Sequence, residues 1–262
     1  MKAKSRRKYM NKWMIVIKAM AVAAVLAGLK FSLHALNLEF IQIDSLISAL
    51  VSGVIFTMAI LLTGVMADFK ESEKMPGELA ASIKALHKDF ELLEFTAKKE
   101  TDSALMHLTR LITVIINQFE LNKWKQSESE TIIEKIDNEI REMAAKNMAP
   151  AYVIKMRNEL NNIEKISNRI DTIEETNFLP SAYALSQIAV LLVMLILLFA
   201  IVDPYLIGMF IIFTITFLIM GILMLIKDMD NPFETGGKGS ADVDLSHIYK
   251  LDKYLKNHEE VK

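Results

Sequence analysis

One apolar stretch near residue 50 carries side chains whose spacing could line a path for polar solutes. Ser45, Ser48, Ser52, Ala59 and Thr63 follow one another at spacings of three, four, seven and four residues, which places them on one helix face. Such a stripe of small residues lets membrane helices approach closely, and it is also suited to a water-filled path. Both interpretations stay open from the residues alone.

The second interpretation names specific side chains. The candidate pore-lining residues are Ser48, Ser52, Ile55, Phe56, Ala59 and Thr63. Among them, Ile55 or Phe56 would be an apolar constriction. Residues 46–67 contain no charge, which argues against a proton relay in this segment.

No pattern typical of catalysis or metal binding accompanies the stripe. The sequence lacks G-x-x-x-x-G-K-[ST], G-x-G-x-x-G, H-E-x-x-H and G-x-S-x-G. Cysteine is absent, which excludes disulfides and thiolate ligands. The five histidines show no metal-ligand spacing on one helix. We therefore predict that the protein is not an enzyme and has neither a cofactor nor a metal site.

An acidic segment late in the chain is the remaining candidate for a cation. Five carboxylates surround the glycine-rich residues 236–239: Asp228, Asp230, Glu234, Asp242 and Asp244. They lack the register of an EF-hand loop. A solvated turn is the favoured interpretation, and calcium binding is the alternative.

Long apolar runs must position the stripe. They cover residues 13–33, residues 46–67 and the block 182–226, whose only charge is Asp203. A helix of about 20 residues crosses a bilayer, so the last block predicts two spans, 183–202 and 204–226, that turn at Asp203-Pro204. Buried core helices are the alternative, but a chain of 262 residues has too small a core to bury such a block. The apolar content of 52% and the mean hydropathy of +0.29 agree with a membrane protein.

The first apolar run follows six basic residues and so resembles a secretory signal peptide. It is longer than such a segment, contains Lys18 and Lys30, and precedes no clear cleavage site. We predict an uncleaved span, with cleavage as the alternative. The two lysines would extend their side chains to the lipid headgroups.

Orientation follows from lysine and arginine. Residues 1–12 carry six, 68–181 carry sixteen and 227–262 carry six, whereas 34–45 and the Asp203-Pro204 turn carry none. We predict a multi-pass protein of the cell membrane with both termini cytoplasmic. The net charge of −2 shows no basic excess, so the predicted partner is the lipid bilayer and not nucleic acid.

The segment between the second and third spans has a helical apolar period throughout. It predicts four helices near 76–98, 102–125, 129–146 and 150–177, the first continuing from the second span and kinked at Pro76. Their apolar stripes require partners, either within one subunit or between subunits. The predicted fold class is all-α: a basic N-terminus (1–12), spans one and two (13–67), a cytoplasmic bundle or coiled-coil segment (68–181), spans three and four (182–226) and a cytoplasmic tail (227–262).

Two segments, each directly after a span, resemble a known family. The sequence D-M-D-N-P-F-E at 228–234 resembles the N-P-F signature that follows the last span of bestrophins, and 68–79 is similar to the bestrophin-like group of membrane proteins. The layout of two spans, a helical segment and two more spans is similar as well. The residues that carry the resemblance are Asp68, Lys70, Glu71, Glu73, Pro76, Asp230, Asn231, Pro232 and Phe233.

The resemblance implies a homo-oligomer, pentameric in bestrophins, with an ion path along its axis lined by the second helix of each subunit. It makes Ile55 and Phe56 candidates for an apolar neck. The acidic cluster that follows N-P-F in bestrophins is replaced here by Thr235-Gly236-Gly237, so calcium gating is not implied. An anion channel is the first hypothesis, and a non-conducting scaffold with a cytoplasmic protein partner is the second. A proton-coupled protein of the MotA or ExbB type typically needs polar or ionisable groups at membrane depth, and the spans offer Thr57, Thr63, Thr214 and Thr216 but no carboxylate.

Overall fold

A computed structural model of the chain describes residues 2–97, 101–146, 148–175, 180–233 and 241–259. Within these residues the chain forms helices joined by short loops, and one pair of very short strands. In order they are α1 (Lys2–Ala35), β1 (Ile41–Gln42), α2 (Ser45–Ala97), α3 (Asp102–Leu121), α4 (Gln126–Ala145), α5 (Pro150–Glu175), α6 (Pro180–Phe199), β2 (Ala200–Ile201), α7 (Tyr205–Met229) and α8 (Ser246–Glu259).

Four helices, α1, α2, α6 and α7, are long and apolar enough to cross a membrane. The chain is thus an all-helical, multi-pass membrane protein, as predicted. The hairpin of the last two spans turns at Asp203-Pro204, with Pro204 capping α7. Helix α6 ends at Phe199, three residues before the predicted end, because Ala200 and Ile201 leave the helix to pair with β1.

The first of two compact units comprises Met1–Phe69, Asn177–Pro232 and Gly237–Ala241. Its apolar core joins α2, α6 and α7 through buried residues of each helix, among them Val51, Met58, Val193 and Ile219. Helix α1 packs against α7, and Ala19 is wholly buried beside Gly221. Small side chains at this contact let the two helix backbones approach closely.

A two-residue parallel bridge ties the loop after α1 to the turn before α7. Ile41 pairs with Ala200 and Gln42 with Ile201, and the Phe40 N–H donates to the Phe199 carbonyl at 3.1 Å. Sequence reasoning missed this bridge, because two residues show no period of two. It satisfies backbone groups where two helices end.

Gly208, one turn into α7, shows how tight this turn is. A Cβ atom at residue 208 would lie 2.5 Å from Cβ of Val202, an atom that no side-chain rotation can move. We expect Gly208→Ala to lower the free energy of unfolding by about 1–3 kcal/mol, as overpacking does. The control is Gly28→Ala, because a Cβ at Gly28 meets nothing within 4 Å. Thermal unfolding in detergent measures both, and equal melting temperatures would contradict the prediction.

The second unit comprises Lys70–Thr176, Phe233–Gly236 and Asp242–Lys262. Within it, α2 runs on through Pro76 to Ala97, so the predicted continuation of the second span is present. The predicted helices that follow are present as α3, α4 and α5, and α5 begins at Pro150. Proline fits a first helical position because the missing N–H has no intrahelical acceptor there.

The apolar stripes of these helices find partners inside the chain. Helix α3 packs against α4 and α4 against α5. Each contributes a row of buried residues at helical spacing: Leu105, Leu108, Ile112, Ile115 and Phe119; Ile133, Ile136, Ile140 and Met143; Met156, Leu160, Ile163 and Ile170. Packing within one subunit, one of the two alternatives, is therefore present.

Helix α8 has no counterpart in the sequence prediction, which treated residues 227–262 as a tail. Ile248, Leu251 and Leu255 are buried, and α8 packs against α3. Their spacing of three and four residues was the signal that could have predicted it. The helix is short and its other positions are polar, which made the signal weak.

Candidate functional site

The candidate site is one face of α2 within its membrane-spanning part. Ser48, Ser52, Ala59 and Thr63 are all exposed on this face. Phe56 joins them and exposes 68% of its surface. The helical repeat therefore brings five of the six candidate lining residues onto an open face of this chain.

The hydroxyl groups of this face donate to their own helix. Ser52 Oγ donates to the Ser48 carbonyl at 2.8 Å, and Thr63 Oγ1 donates to the Ala59 carbonyl at 2.9 Å. Ser48 Oγ donates in the same way to the Asp44 carbonyl at 3.0 Å. These bonds satisfy the hydroxyl protons and leave the oxygen lone pairs available as acceptors. The face is polar but uncharged.

Another side of the same helix segment holds α2 in the first unit. Val51, Met58 and Val65 repeat at intervals of seven residues and are buried. They pack in apolar clusters with residues of α6 and α7. The open face is thus exposed in this subunit because α2 uses a different side for its core contacts.

Ile55 departs from the other candidates. It is half-buried, packs against the apolar core, and lines a groove of about 760 Å³ beside α6 and α7. Ser48 and Ser52 border the same groove, whereas Phe56 does not. Neighbouring positions on a helix point about 100° apart, so the two residues proposed together for a constriction lie in different surroundings.

The residues after the second span that carry the family resemblance differ in exposure and in their contacts. Lys70 and Glu73 are exposed, and Pro76 is buried. Glu71 forms a two-bond ion pair with Arg169 of α5, both N···O distances being 3.2 Å. Asp68 is half-buried. Glu71 thus has a structural role in joining α2 to α5.

The phenylalanine of the N-P-F motif is buried in the second unit. Asn231 is exposed and Pro232 is buried, while Phe233 is only 1% exposed. The ring of Phe233 lies 5.7 Å from that of Phe119 in α3, measured between centroids. Asp230 lies at the C-terminal end of α7, where its N–H donates to the Ile226 carbonyl.

We expect Phe233→Ala to destabilise the protein strongly. The change removes a buried aromatic side chain from contact with Phe119 and leaves a cavity, at a cost of about 3–5 kcal/mol. Phe95→Ala is the matched control, since Phe95 exposes 87% of its surface. Melting curves of both variants in detergent test this, and a fall in melting temperature as large for Phe95→Ala would refute it.

The acidic segment after α7 has structural partners at both ends. Asp228 accepts a hydrogen bond from the Ala241 N–H at 3.0 Å, and Asp244 accepts from the N–H and hydroxyl of Ser246, where α8 begins. Glu234 and residues 235–240 lie outside the described residues. In the part of the chain that the structure describes, no three His, Asp or Glu residues come close enough to hold a metal ion.

An ion cluster that sequence reasoning missed lies in the first unit. Lys30 is wholly buried, so the predicted extension of its side chain to the headgroups is wrong. Its ammonium group pairs with Glu39 at 2.7 Å and donates to the Ala200 carbonyl. The reason is that these acceptors replace water around the charge. Lys18, in the same helix, is exposed.

The same cluster extends to the start of α7. Glu39 also pairs with His34 at 2.9 Å, and the His34 ring stacks on Tyr205 with centroids 3.8 Å apart. Burial raises the pKa of the Glu39 carboxyl, but hydrogen bonds from Lys30 and His34 and their charges outweigh it, so the pKa lies below its ordinary value. A lysine inside an apolar run, with a glutamate nine residues later, was the available signal.

Solved structures with a similar fold are known. A bacterial bestrophin homologue from Klebsiella pneumoniae superposes with a TM-score of 0.73 at 15% identity, over 92% of this chain and 97% of that one. Two single-residue variants of it give TM-scores of 0.70 and 0.74 at 14% and 15% identity, over 94% and 92% of this chain and 97% and 96% of theirs.

Sequence comparison alone finds nothing comparable. No family model matches the chain, and no curated protein matches it. The likeness is therefore one of fold, at low identity and over nearly the whole chain. The protein has the fold of the bacterial bestrophin homologues, which confirms the resemblance inferred from the two segments that follow its spans.

Proposed function

We propose that the protein is an oligomeric membrane channel for small ions, with the open face of α2 lining the path. The observation that carries this proposal is the exposure of Ser48, Ser52, Phe56, Ala59 and Thr63. Polar oxygens would be costly against lipid, although their protons are satisfied. A shared axis in an oligomer would give this face water and ions instead.

The bestrophin fold supports the same proposal. We propose a symmetric homo-oligomer, five subunits by the resemblance, in which each subunit contributes one copy of the face. Symmetry repeats each residue around the axis, so a single Phe56 per subunit would make a complete apolar ring. The short side chains of Ala59 and the serines would leave the path wider on either side of that ring.

We propose that the termini and the segment 68–181 are cytoplasmic, in the cell membrane. Support comes from charge: lysine and arginine are concentrated in 1–12, 68–181 and 227–262, and they are absent from 35–45 and from the turn at 203–204. The exposed carboxylates and lysines of α4 and α5 agree with an aqueous location.

A second candidate is a scaffold whose cytoplasmic helices bind a protein partner. Large apolar side chains stand exposed on the second unit, with Ile154 at 62% and Leu121 at 70%. Exposed apolar side chains of this size are a common feature of protein contact surfaces. This candidate predicts binding without ion movement.

One experiment separates the two. The mass of the complex is measured in detergent, and chloride efflux is then measured from liposomes that contain the same sample. A symmetric oligomer whose liposomes release chloride supports the channel. A monomer in sealed liposomes would exclude an axial path and would favour the scaffold.

A further inference from the structure

The segment of α2 that lies in the second unit carries a row of basic side chains. Lys70, Lys74, Lys84 and Lys88, here called the lysine stripe, are exposed. Their spacings of four, ten and four residues keep them on one face of a helix. Lys70 follows Thr63 by seven residues in the sequence, the spacing of two helical turns.

The rest of this segment is occupied by core contacts. Met75, Leu79, Ile83, Leu86 and Phe90 are buried and repeat at three or four residues. Packing therefore holds this part of α2 at a fixed rotation about its axis. The lysine stripe stays exposed, with Lys74 at the edge of a groove against α5 and Lys84 beside Tyr254 of α8.

Two acidic side chains of the segment are neutralised by cations of another helix. Glu71 pairs with Arg169, and Asp89 pairs with Lys155 at 2.6 Å, in both cases with a cation of α5. Glu91 lies 3.5 Å from a ring nitrogen of His87, which balances its charge only when the imidazole is protonated.

The lysines themselves are not neutralised. Among the residues that the structure describes, no ion pair joins any lysine of the stripe to a carboxylate. Lys84 lies 4.5 Å from the centroid of the Tyr254 ring, a contact that keeps its charge. Glu73 and Glu78 flank the stripe and are exposed, and Glu91 is half-buried beside it, which leaves four positive charges against three negative ones on this side.

We propose that the lysine stripe selects the ions that pass: it attracts small inorganic anions and repels cations. The inference rests on the proposed function, since it assumes that the open side of α2 faces the path. Exposed charges of one sign act over a Debye length of about 8 Å at physiological salt. In a path bounded by protein, a ring of such charges raises the local anion concentration by roughly tenfold or more.

The test removes three charges and keeps the fold. The triple variant carries Lys70→Gln, Lys74→Gln and Lys88→Gln. Lys84 is left unchanged because it contacts the Tyr254 ring. The matched control neutralises three exposed lysines of other segments: Lys123, Lys135 and Lys146. The reversal potential in a potassium chloride gradient gives the ratio of chloride to potassium permeability for the parent, the variant and the control.

We expect the ratio to fall by about tenfold in the triple variant at low salt and to stay at the parent value in the control. High salt should shrink the difference, because it screens exposed charge. Charge reversal, with glutamate at the three positions, should make potassium the preferred ion. Melting curves verify folding, and single glutamine variants replace the triple one if it does not fold.

The results separate this inference from the proposed function. A conducting parent whose triple variant keeps its permeability ratio would overturn the role of the stripe and leave the channel intact. Equal falls in variant and control would show a general surface-charge effect and would also overturn it. A folded parent oligomer that passes neither ion would overturn the channel itself.

Discussion

Phe56→Ala is expected to increase ion flux several-fold if the ring of Phe56 side chains is the narrowest part of the path. Alanine removes the whole aromatic ring, so an apolar constriction becomes wider and easier to hydrate. Phe56 exposes 68% of its surface in one subunit, so the change leaves no cavity in the core and should preserve the fold. Single-channel recording or chloride efflux from liposomes measures the effect.

Phe210→Ala is a close control for this prediction. Phe210 is also a phenylalanine of a membrane-spanning helix, α7, and it exposes 71% of its surface. It does not belong to the open face of α2, so its removal should leave flux unchanged. Equal changes in the two variants would refute the assignment of Phe56 to a constriction.

Ile55→Ala adds a second comparison within the same helix. Ile55 lies against the apolar core and the groove beside α7, so its truncation should lower stability more than it changes flux. If Ile55→Ala increases ion flux and Phe56→Ala does not, the constriction is formed by Ile55.

The second large effect is expected from Lys30→Met, which should lower the free energy of unfolding by about 3–5 kcal/mol. Methionine keeps the apolar length of the side chain but removes the charge that pairs with Glu39 at 2.7 Å. The carboxylate of Glu39, whose side chain is only 9% exposed, then retains its contact with His34 but no lysine. The bond to the Ala200 carbonyl, next to the β1–β2 pairing, is lost as well.

Lys18→Met is the matched control, since Lys18 lies in the same helix and is exposed. Unfolding in detergent measures both variants. In a double-mutant cycle, Lys30→Met combined with Glu39→Gln should cost less than the sum of the single changes, because the second change removes the unpaired charge. Additive costs, or equal effects of Lys18→Met and Lys30→Met, would show that the buried pair contributes nothing specific.

The pH dependence of the same pair has a definite sign. The pKa of Glu39 in the folded protein lies below its value in the unfolded chain, near 4.5. The stabilisation is therefore fully present above that value and is lost as pH falls through the folded pKa. Acid should destabilise the parent below about pH 4.5 more than it destabilises Lys30→Met.

The sequence by itself determined the membrane character, the number of spans and the helical segment between them. Each depends on a local property: the length of an apolar run, a proline at a turn, or a helical period. The stripe of Ser48, Ser52, Ala59 and Thr63 was visible for the same reason, since helical spacing alone puts these residues on one face. The fold was predictable from two short segments next to the spans.

Only the tertiary structure decided which faces are covered and which charges are paired. Ile55 and Phe56 are neighbours in sequence, yet packing against α6 and α7 half-buries the first and leaves the second open. Lys30 was expected at the lipid headgroups, but Glu39 and the Ala200 carbonyl, 170 residues away in the chain, hold it inside the protein. Residues so far apart in sequence meet through the packing of whole helices, and no local spacing encodes which of them will meet.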